Sequence, residues 1–214
     1  MKITYLGHAC FQITSASGTT IITDPYTRVG YELPAGLSAD LVTVSHGHFD
    51  HNYLDGINAG QVLSSAGEYV YNDIKIVAYE SFHDEKQGAL RGKNLLFVFE
   101  VDGVKICHFG DLGESCRADI LEKIADADIV LIPVGGTYTI DAVQAKEYVE
   151  KCQPCTVIPM HFRPQYGTLD IAPISNFLGL FEEQYVKSIP DGVIELTKED
   201  LTALPTVVYL GIKR

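Results

Sequence analysis

The chain has 214 residues, 46% hydrophobic and 21% charged, a composition that excludes disordered and fibrous classes. Its 28 acidic and 16 basic side chains leave a net charge of −12, and such a surface repels phosphate backbones, which argues against nucleic acid as a partner. The length fits a single domain over residues 1–214, able to bury a core without staples.

The elements read in chain order as follows. The opening "MKITYLGHACFQI" carries one Lys and no long apolar run, so it reads as a first strand rather than a signal peptide. Strands are expected over 2–7, 10–15 and 19–25, where β-branched and aromatic runs are broken by Gly, Ser and Pro. Residues 26–38 hold Gly30, Pro34 and Gly36 and read as a loop near a site. "ADLVTVSH" (39–46) suits a strand buried on both faces, and "NYLDGINA" (52–59) suits a short helix. Hairpins follow, turning at Tyr71–Asp73 and at the Asp102–Gly103 pair. "RADILEKIAD" has helical spacing, "ADIVLIPVGG" is a buried strand, and "DAVQAKEYVEKC" is an amphipathic helix capped by Asp141 or Thr139. "CTVIPMHF" reads as a strand, "APISNFLGLFEEQ" as a helix, and the two stretches 192–200 and 206–214 as strands. Strand-rich blocks followed by strand–helix alternation suit two packed sheets with helices outside. No run reaches the roughly 18 apolar residues of a membrane span, so a cytoplasmic protein is expected.

The chemistry concentrates in "SHGHFDH" at 45–51. Residues i and i+2 of an extended segment point the same way, so His46 and His48 can share one ion, with Gly47 giving the backbone room to turn. If the chain then enters a helix, Asp50 and His51 project towards a neighbouring position. Mixed imidazole and carboxylate donors suit Zn²⁺, Mn²⁺ or Fe²⁺. Further ligands stand at the ends of apolar strands: His83 after "IVAYESF", Asp111 after "VKICHFG" and His161 after "TVIPM". A chain that returns such residues at successive strand ends is building a pocket there.

The spacing His-x-His-x-Asp-His, met by His46, His48, Asp50 and His51, resembles the signature of the metallo-β-lactamase superfamily. "GHAC" at 7–10, "TDP" at 23–25, "GGTYTIDAVQA" at 135–145 and "VIPMHF" at 157–162 resemble the branch that contains L-ascorbate-6-phosphate lactonase. The resemblance implies an α/β fold, an αββα sandwich of two mixed β-sheets flanked by helices. It also implies a pair of divalent ions, Zn or Mn before Fe. His46, His48 and His83 would hold one ion, Asp50, His51 and His161 the other, and Asp111 would bridge them. Relatives with a redox di-iron centre carry Glu where His48 stands, which argues against that chemistry here. The branch also implies a place for His8 at the rim of the site, as a substrate contact or a support, and admits a homo-oligomer.

Two ions about 3.5 Å apart can share a water and lower its pKa towards 7, and Asp50 is placed to take its proton. No G-x-S-x-G nucleophile elbow occurs. Arg163, two residues past His161, suits a phosphate or carboxylate on the substrate. Thr137 and Tyr138 follow Gly135–Gly136 at a strand-to-helix turn, where backbone N–H groups can receive an anion. Tyr26, Tyr31 and Tyr166 are candidate rim residues. His108, three residues before Asp111, is expected in the core or behind the site. The five cysteines are odd in number and sparse, and Cys152-x-x-Cys155 ends a helix rather than opening one, so a structural role is expected over a redox one. The expected activity is hydrolysis of a small anionic ester, lactone or phosphoester. A phosphodiesterase or nuclease of the same fold and a non-catalytic metal-binding protein are the alternatives. The acidic chain weighs against the former, and the complete ligand set with its base against the latter.

Overall fold

A computed structural model describes residues 1–201 and 205–213. Among the described residues, fourteen strands form two mixed sheets. The first sheet contains β1 (Lys2–Gly7), β2 (Cys10–Thr14), β3 (Thr20–Thr23), β4 (Leu37–Thr43), β5 (Ile57–Leu63) and β13 (Val193–Glu195), in the order β13-β1-β2-β3-β4-β5. The second contains β6 (Gly67–Tyr71), β7 (Ile74–Phe82), β8 (Lys93–Val101), β9 (Val104–His108), β10 (Ile129–Pro133), β11 (Thr156–Met160), β12 (Val186–Ile189) and β14 (Thr206–Leu210). Its order is β12-β14-β11-β10-β9-β8-β7-β6.

The core lies between the sheets. Phe11 and Ile13 of the first sheet join Phe97, Phe99 and Ile106 of the second in one fully buried cluster. Each such side chain contributes roughly 1.5–3 kcal/mol by leaving water. β10 and β11 are buried along their whole length, since helix α2 (Ala142–Cys152) packs outside β10 and against α1 (Ala118–Lys123) and α3 (Ser175–Leu178). Asp141, not Thr139, caps α2: its carboxylate accepts from the N–H groups of Val143 and Gln144, both at 2.9 Å. These helices gather on the second sheet. Over the first sheet, Tyr26, Val29 and Leu33 of the long loop after β3 pack on Leu6, Ile22 and Val42 instead, so loops replace a second helical layer among the described residues.

Strand polarity positions the site. β1 and β3 are both antiparallel to β2, and β4 is parallel to β3, so β1, β3 and β4 run one way. β7 and β9 are both antiparallel to β8, and β10 and β11 are parallel to β9. The C-terminal ends of β1, β3 and β4 therefore meet those of β7, β9 and β11 along one edge. Backbone hydrogen bonds join the sheets there: Leu95 N–H to the Ser45 carbonyl (3.0 Å) and His161 N–H to the His8 carbonyl (2.9 Å).

Three local expectations give way to tertiary pairing. Residues 52–59 form no helix: Ile57 opens β5, which runs parallel to β4 with Leu37 opposite Ile57. Asp50 and His51 lie in a turn closed by His51 N–H on the His48 carbonyl (3.0 Å), not in a helix. Of 172–184 only Ser175–Leu178 is α-helical, with a 3₁₀ turn beginning at Glu183, because Gly179 ends the helix after one turn while Phe177 is fixed in the core. β4 is also less buried than expected, as Asp40 faces solvent. Arg214 of the last expected strand lies outside the described residues.

Candidate metal centre

Each strand end delivers one group to the common edge. The turn after β4 supplies His46, His48, Asp50 and His51; β7, β9 and β11 supply His83, Asp111 and His161. They form overlapping sets, His46/His48/His83, His46/His51/Asp111 and His8/Asp50/His51/His161, in each of which one donor atom per residue lies within 4.8 Å of the others. Asp111 stands between them. Its Oδ1 is 3.1 Å from His51 Nε2 and 3.4 Å from His161 Nε2, while Oδ2 is 3.2 Å from His83 Nε2 and 3.8 Å from His46 Nε2.

These atoms fit a bound cation. His46 Nε2, His51 Nε2, His83 Nδ1, both ring nitrogens of His161 and Asp111 Oδ1 are buried without a hydrogen-bond partner among the described residues. Buried polar atoms are ordinarily paired, and four of these orphans, His46 Nε2, His51 Nε2, His161 Nε2 and Asp111 Oδ1, gather around the Asp111 carboxylate, which indicates lone pairs kept for an ion. Nitrogen and carboxylate donors together suit Zn²⁺, Mn²⁺ or Fe²⁺.

The electrostatics agree. Burial would raise the Asp111 carboxyl, yet His161 and His51 hold it well below the usual range. Burial and the neighbouring His51 push His46 down to about 3, whereas His51 rises well above the ordinary value, against its burial, through Asp111 and Asp24. The buried carboxylates thus draw positive charge into the cluster, and a divalent cation supplies it more fully than a proton, so metal binding releases protons. Burial would likewise raise Asp50, but its hydrogen bond from His8 and the nearby His51 hold it below the carboxylate range, so it is ionised.

A carboxylate not singled out from the sequence as a functional residue organises the ligands from behind. Asp24, fully buried in "TDP" at the end of β3, accepts from Ser45 N–H (2.7 Å), Ser45 Oγ–H (2.5 Å) and His51 Nδ1–H (2.8 Å). The Ser45 proton is then committed to Asp24, so His46 Nδ1–H donates to Ser45 Oγ (3.0 Å). One chain of bonds therefore places the protons of His46 and His51 on Nδ1 and leaves both Nε2 lone pairs facing the centre. The available signal was the "TDP" at 23–25, which in the sequence carries only the family resemblance. Asn94, also buried, was missed: its Oδ1 accepts from Asp111 N–H (2.9 Å) and its Nδ2 donates to Ser81 Oγ and the Phe109 carbonyl (2.9 Å each). Gly110 is required between them, since its φ is +52° and a Cβ would lie 2.3 Å from Asn94 Oδ1. His8, Asp24, Thr137 and His161 also have positive φ, a conformation uncommon outside Gly.

Other expected positions differ. His8 is not at a rim: it is 1% exposed, behind Asp50, with its Nε2 3.1 Å from Asp50 Oδ2 and its carbonyl accepting from Tyr5 Oη and His161 N. Tyr26 is buried too, its hydroxyl donating to the Leu6 carbonyl (2.7 Å), and the Tyr31 hydroxyl accepts from His8 N–H (3.0 Å). His108 lies behind the site as expected. Its Nδ1 accepts from Gly110 N–H and its Nε2–H donates to the Ala9 carbonyl of the opposite sheet (2.8 Å). Cys152 donates to the Tyr148 carbonyl and burial pushes its thiol up to about 12, which keeps it protonated.

The cavity over the centre holds about 530 Å³. Beside His48, Asp50, His83 and Asp111 it is walled by Phe49, Leu169, Tyr138 and Arg91. Tyr138 thus reaches the site by its ring. Of the two backbone N–H groups expected to receive an anion, that of Tyr138 donates to the Gly136 carbonyl instead (2.6 Å), and Asp141 already occupies the start of α2. Thr137 borders a neighbouring cavity of about 240 Å³ and offers its carbonyl, not its N–H, to Arg91 (3.1 Å). Arg163 lines a separate cavity of about 720 Å³ with Tyr166 and Tyr209, because its N–H is tied to the Ala172 carbonyl and the chain turns away after His161. That larger cavity contains none of the metal-type ligands.

Comparison with known proteins agrees with this geometry. The family model described as "Beta-lactamase superfamily domain" matches residues 2–161, from β1 to His161. A "UPF0173 metal-dependent hydrolase" of Methanoregula boonei is 31% identical over 188 residues, covering 76% of this chain and 82% of the relative. A protein of the same name from Thermococcus onnurineus is 29% identical, covering 76% and 84%. The crystal structure of a "putative zn-dependent hydrolase of the metallo-beta-lactamase superfamily" from Thermotoga maritima is 36% identical and superposes with a TM-score of 0.79, covering 97% of this chain and 98% of that one. With its two-sheet fold and ligands at the shared strand ends, the chain belongs to the metallo-β-lactamase superfamily and, within it, to the UPF0173 metal-dependent hydrolase family.

Proposed function

We propose that this protein hydrolyses a small ester, lactone or phosphoester at a pair of divalent ions, Zn²⁺ or Mn²⁺. In this reading His46, His48 and His83 hold one ion, Asp50, His51 and His161 the other, and Asp111 lies between them. The observation that carries it is the division of the Asp111 carboxylate, one oxygen towards His51 and His161 and the other towards His46 and His83. Bound ions supply Lewis acidity and a lowered pKa for water. The remaining tasks fall to the chain's own residues. Asp50 is the base: its side chain is ionised, lines the cavity and is held from behind by His8, so a proton it accepts at its carboxylate stays beside the reacting centre. Phe49, Tyr138 and Leu169 hold the substrate and displace water from around it. A cavity of about 530 Å³ suits a small molecule rather than a polymer, in keeping with the acidic surface. The sugar-acid lactones of the lactonase-like branch are within this class.

The test is a screen of metal-reconstituted protein against lactones, phosphodiesters and thioesters, with Asp50→Ala alongside and metal content measured for both. Turnover in one class and a loss of roughly 10²-fold or more in the variant are expected. Equal turnover by the variant removes Asp50 as the base, and no turnover in any class removes the hydrolase reading.

A further inference from the structure

Arg91 is the one basic side chain other than histidine among the residues lining the metal cavity. Its guanidinium donates from Nη2 to the Thr137 carbonyl (3.1 Å), and its Cζ stands 5.6 Å from the Tyr138 ring centroid. These are the only polar and cation–π contacts of its side chain among the described residues, and no carboxylate pairs with it. Most of its five N–H donors are therefore available, in a chain where acidic groups outnumber basic ones by 28 to 16.

The segment that carries Arg91 is built to hold it. Asp84, next to His83 and 4% exposed, takes four backbone N–H groups. Its Oδ1 accepts from Lys86 (2.8 Å) and Gly88 (3.0 Å), and its Oδ2 from Leu90 (3.0 Å) and Arg91 (2.8 Å). His83 N–H donates to the Gly92 carbonyl (3.0 Å) and closes the loop. The residue before Asp84 faces the metal centre, and the last residue it anchors carries the guanidinium. Loop and centre thus share one rigid frame. Phe49 and Tyr138 line the same cavity, 48% and 37% exposed.

We propose that Arg91 recognises an anionic group on the substrate, a carboxylate or phosphate, while Phe49 and Tyr138 receive the apolar part next to it. A planar fork held over an aromatic ring and fixed by one carbonyl offers its remaining N–H groups for two parallel bonds to an oxyanion. The substrate class narrows to small esters or lactones with an apolar segment and an acidic substituent. This rests on reading the cavity as the substrate site of a hydrolase, and it moves anion recognition from Arg163 to Arg91.

The test uses the metal-reconstituted full chain and two readouts. Calorimetry measures binding of phenylphosphonate, phenylacetate and the neutral phenylacetamide to wild type, Arg91→Met, Arg91→Lys and Arg163→Met, with metal content checked in each. The anions should bind wild type more tightly than the amide. Arg91→Met should weaken them roughly 10- to 100-fold, the scale of a charge-assisted hydrogen bond. Arg91→Lys should restore part of this, as a point charge without the fork, and Arg163→Met should bind as wild type does. Which anion loses more tells carboxylate from phosphate. The second readout compares nitrophenyl hemiglutarate with nitrophenyl butyrate: Arg91→Met should abolish the preference for the acidic ester, chiefly through KM. Wild-type anion binding by Arg91→Met, or an equal loss in Arg163→Met, overturns the proposal. Arg91-dependent binding with no turnover of these esters or of any class in the lactone, phosphodiester and thioester screen would instead sink the hydrolase reading and leave Arg91 as an anion site.

Discussion

Replacing Asp24 by Asn changes one buried oxygen to an NH₂ and little else, and the structure dictates the consequence. The amide oxygen must stay at Ser45 N–H (2.7 Å), since the opposite flip sets donor against donor. The NH₂ then faces Ser45 Oγ and His51 Nδ1, which both donate in the native protein. Ser45 turns its proton to His46 Nδ1, and His51 Nδ1 becomes an acceptor. Both rings switch to the tautomer protonated on Nε2, the atom that faces the centre. Each must shed that proton before binding an ion. Loss of a group that orients metal-bound histidines typically lowers affinity 10- to 100-fold, or about 1.4–2.8 kcal/mol. The shape is conserved, so far-UV circular dichroism should not change. Competition against a chromophoric chelator gives the affinity, with elemental analysis for stoichiometry. Wild-type affinity for both ions in D24N would falsify the tautomer argument. Asp24→Ala should instead lose fold stability, roughly 3–5 kcal/mol, because it leaves three buried donors without an acceptor.

Two further outcomes follow from the same interior. Asn94→Ala strands Asp111 N–H and the Phe109 carbonyl, while Ser81 Oγ keeps its bond to the residue-94 carbonyl (3.2 Å), and should cost about 2–4 kcal/mol in urea unfolding; an unchanged midpoint would show that water replaces the lost bonds. His108 is pushed below its ordinary value by burial, with Asp24 opposing. An unfolded His titrates near ~6.5, so below that pH the unfolded chain binds a proton that buried His108 refuses. The stability this group contributes is present above about pH 6.5 and is lost as pH falls towards its folded value. His108→Asn should therefore show a shallower loss of stability between about pH 7 and 5 than wild type, and parallel slopes would assign the acid sensitivity to other groups.

The sequence by itself determined which residue types stand at the ends of which strands. Alternating and continuous apolar runs are local, as are the Asp102–Gly103 turn and the i, i+2 relation of His46 and His48, so β1–β4, the hairpins and the ligand-type residues could be read in order. Partners are not local. Asp24 reads as the end of an expected strand, within "TDP", until β3 lies beside β4 and the carboxylate meets Ser45 and His51. Arg163 is two residues from His161 yet opens on another cavity, whereas Arg91 reaches the centre because Asp84 folds its loop back towards it. Residues 57–59 leave the expected helix for the same reason: β4 offers a full row of backbone partners, and an isolated short helix offers too few bonds to compete. Side-chain direction and hydrogen-bond pairing depend on segments remote in sequence, so only the packed sheets settled which groups support the ligands and which line the cavity.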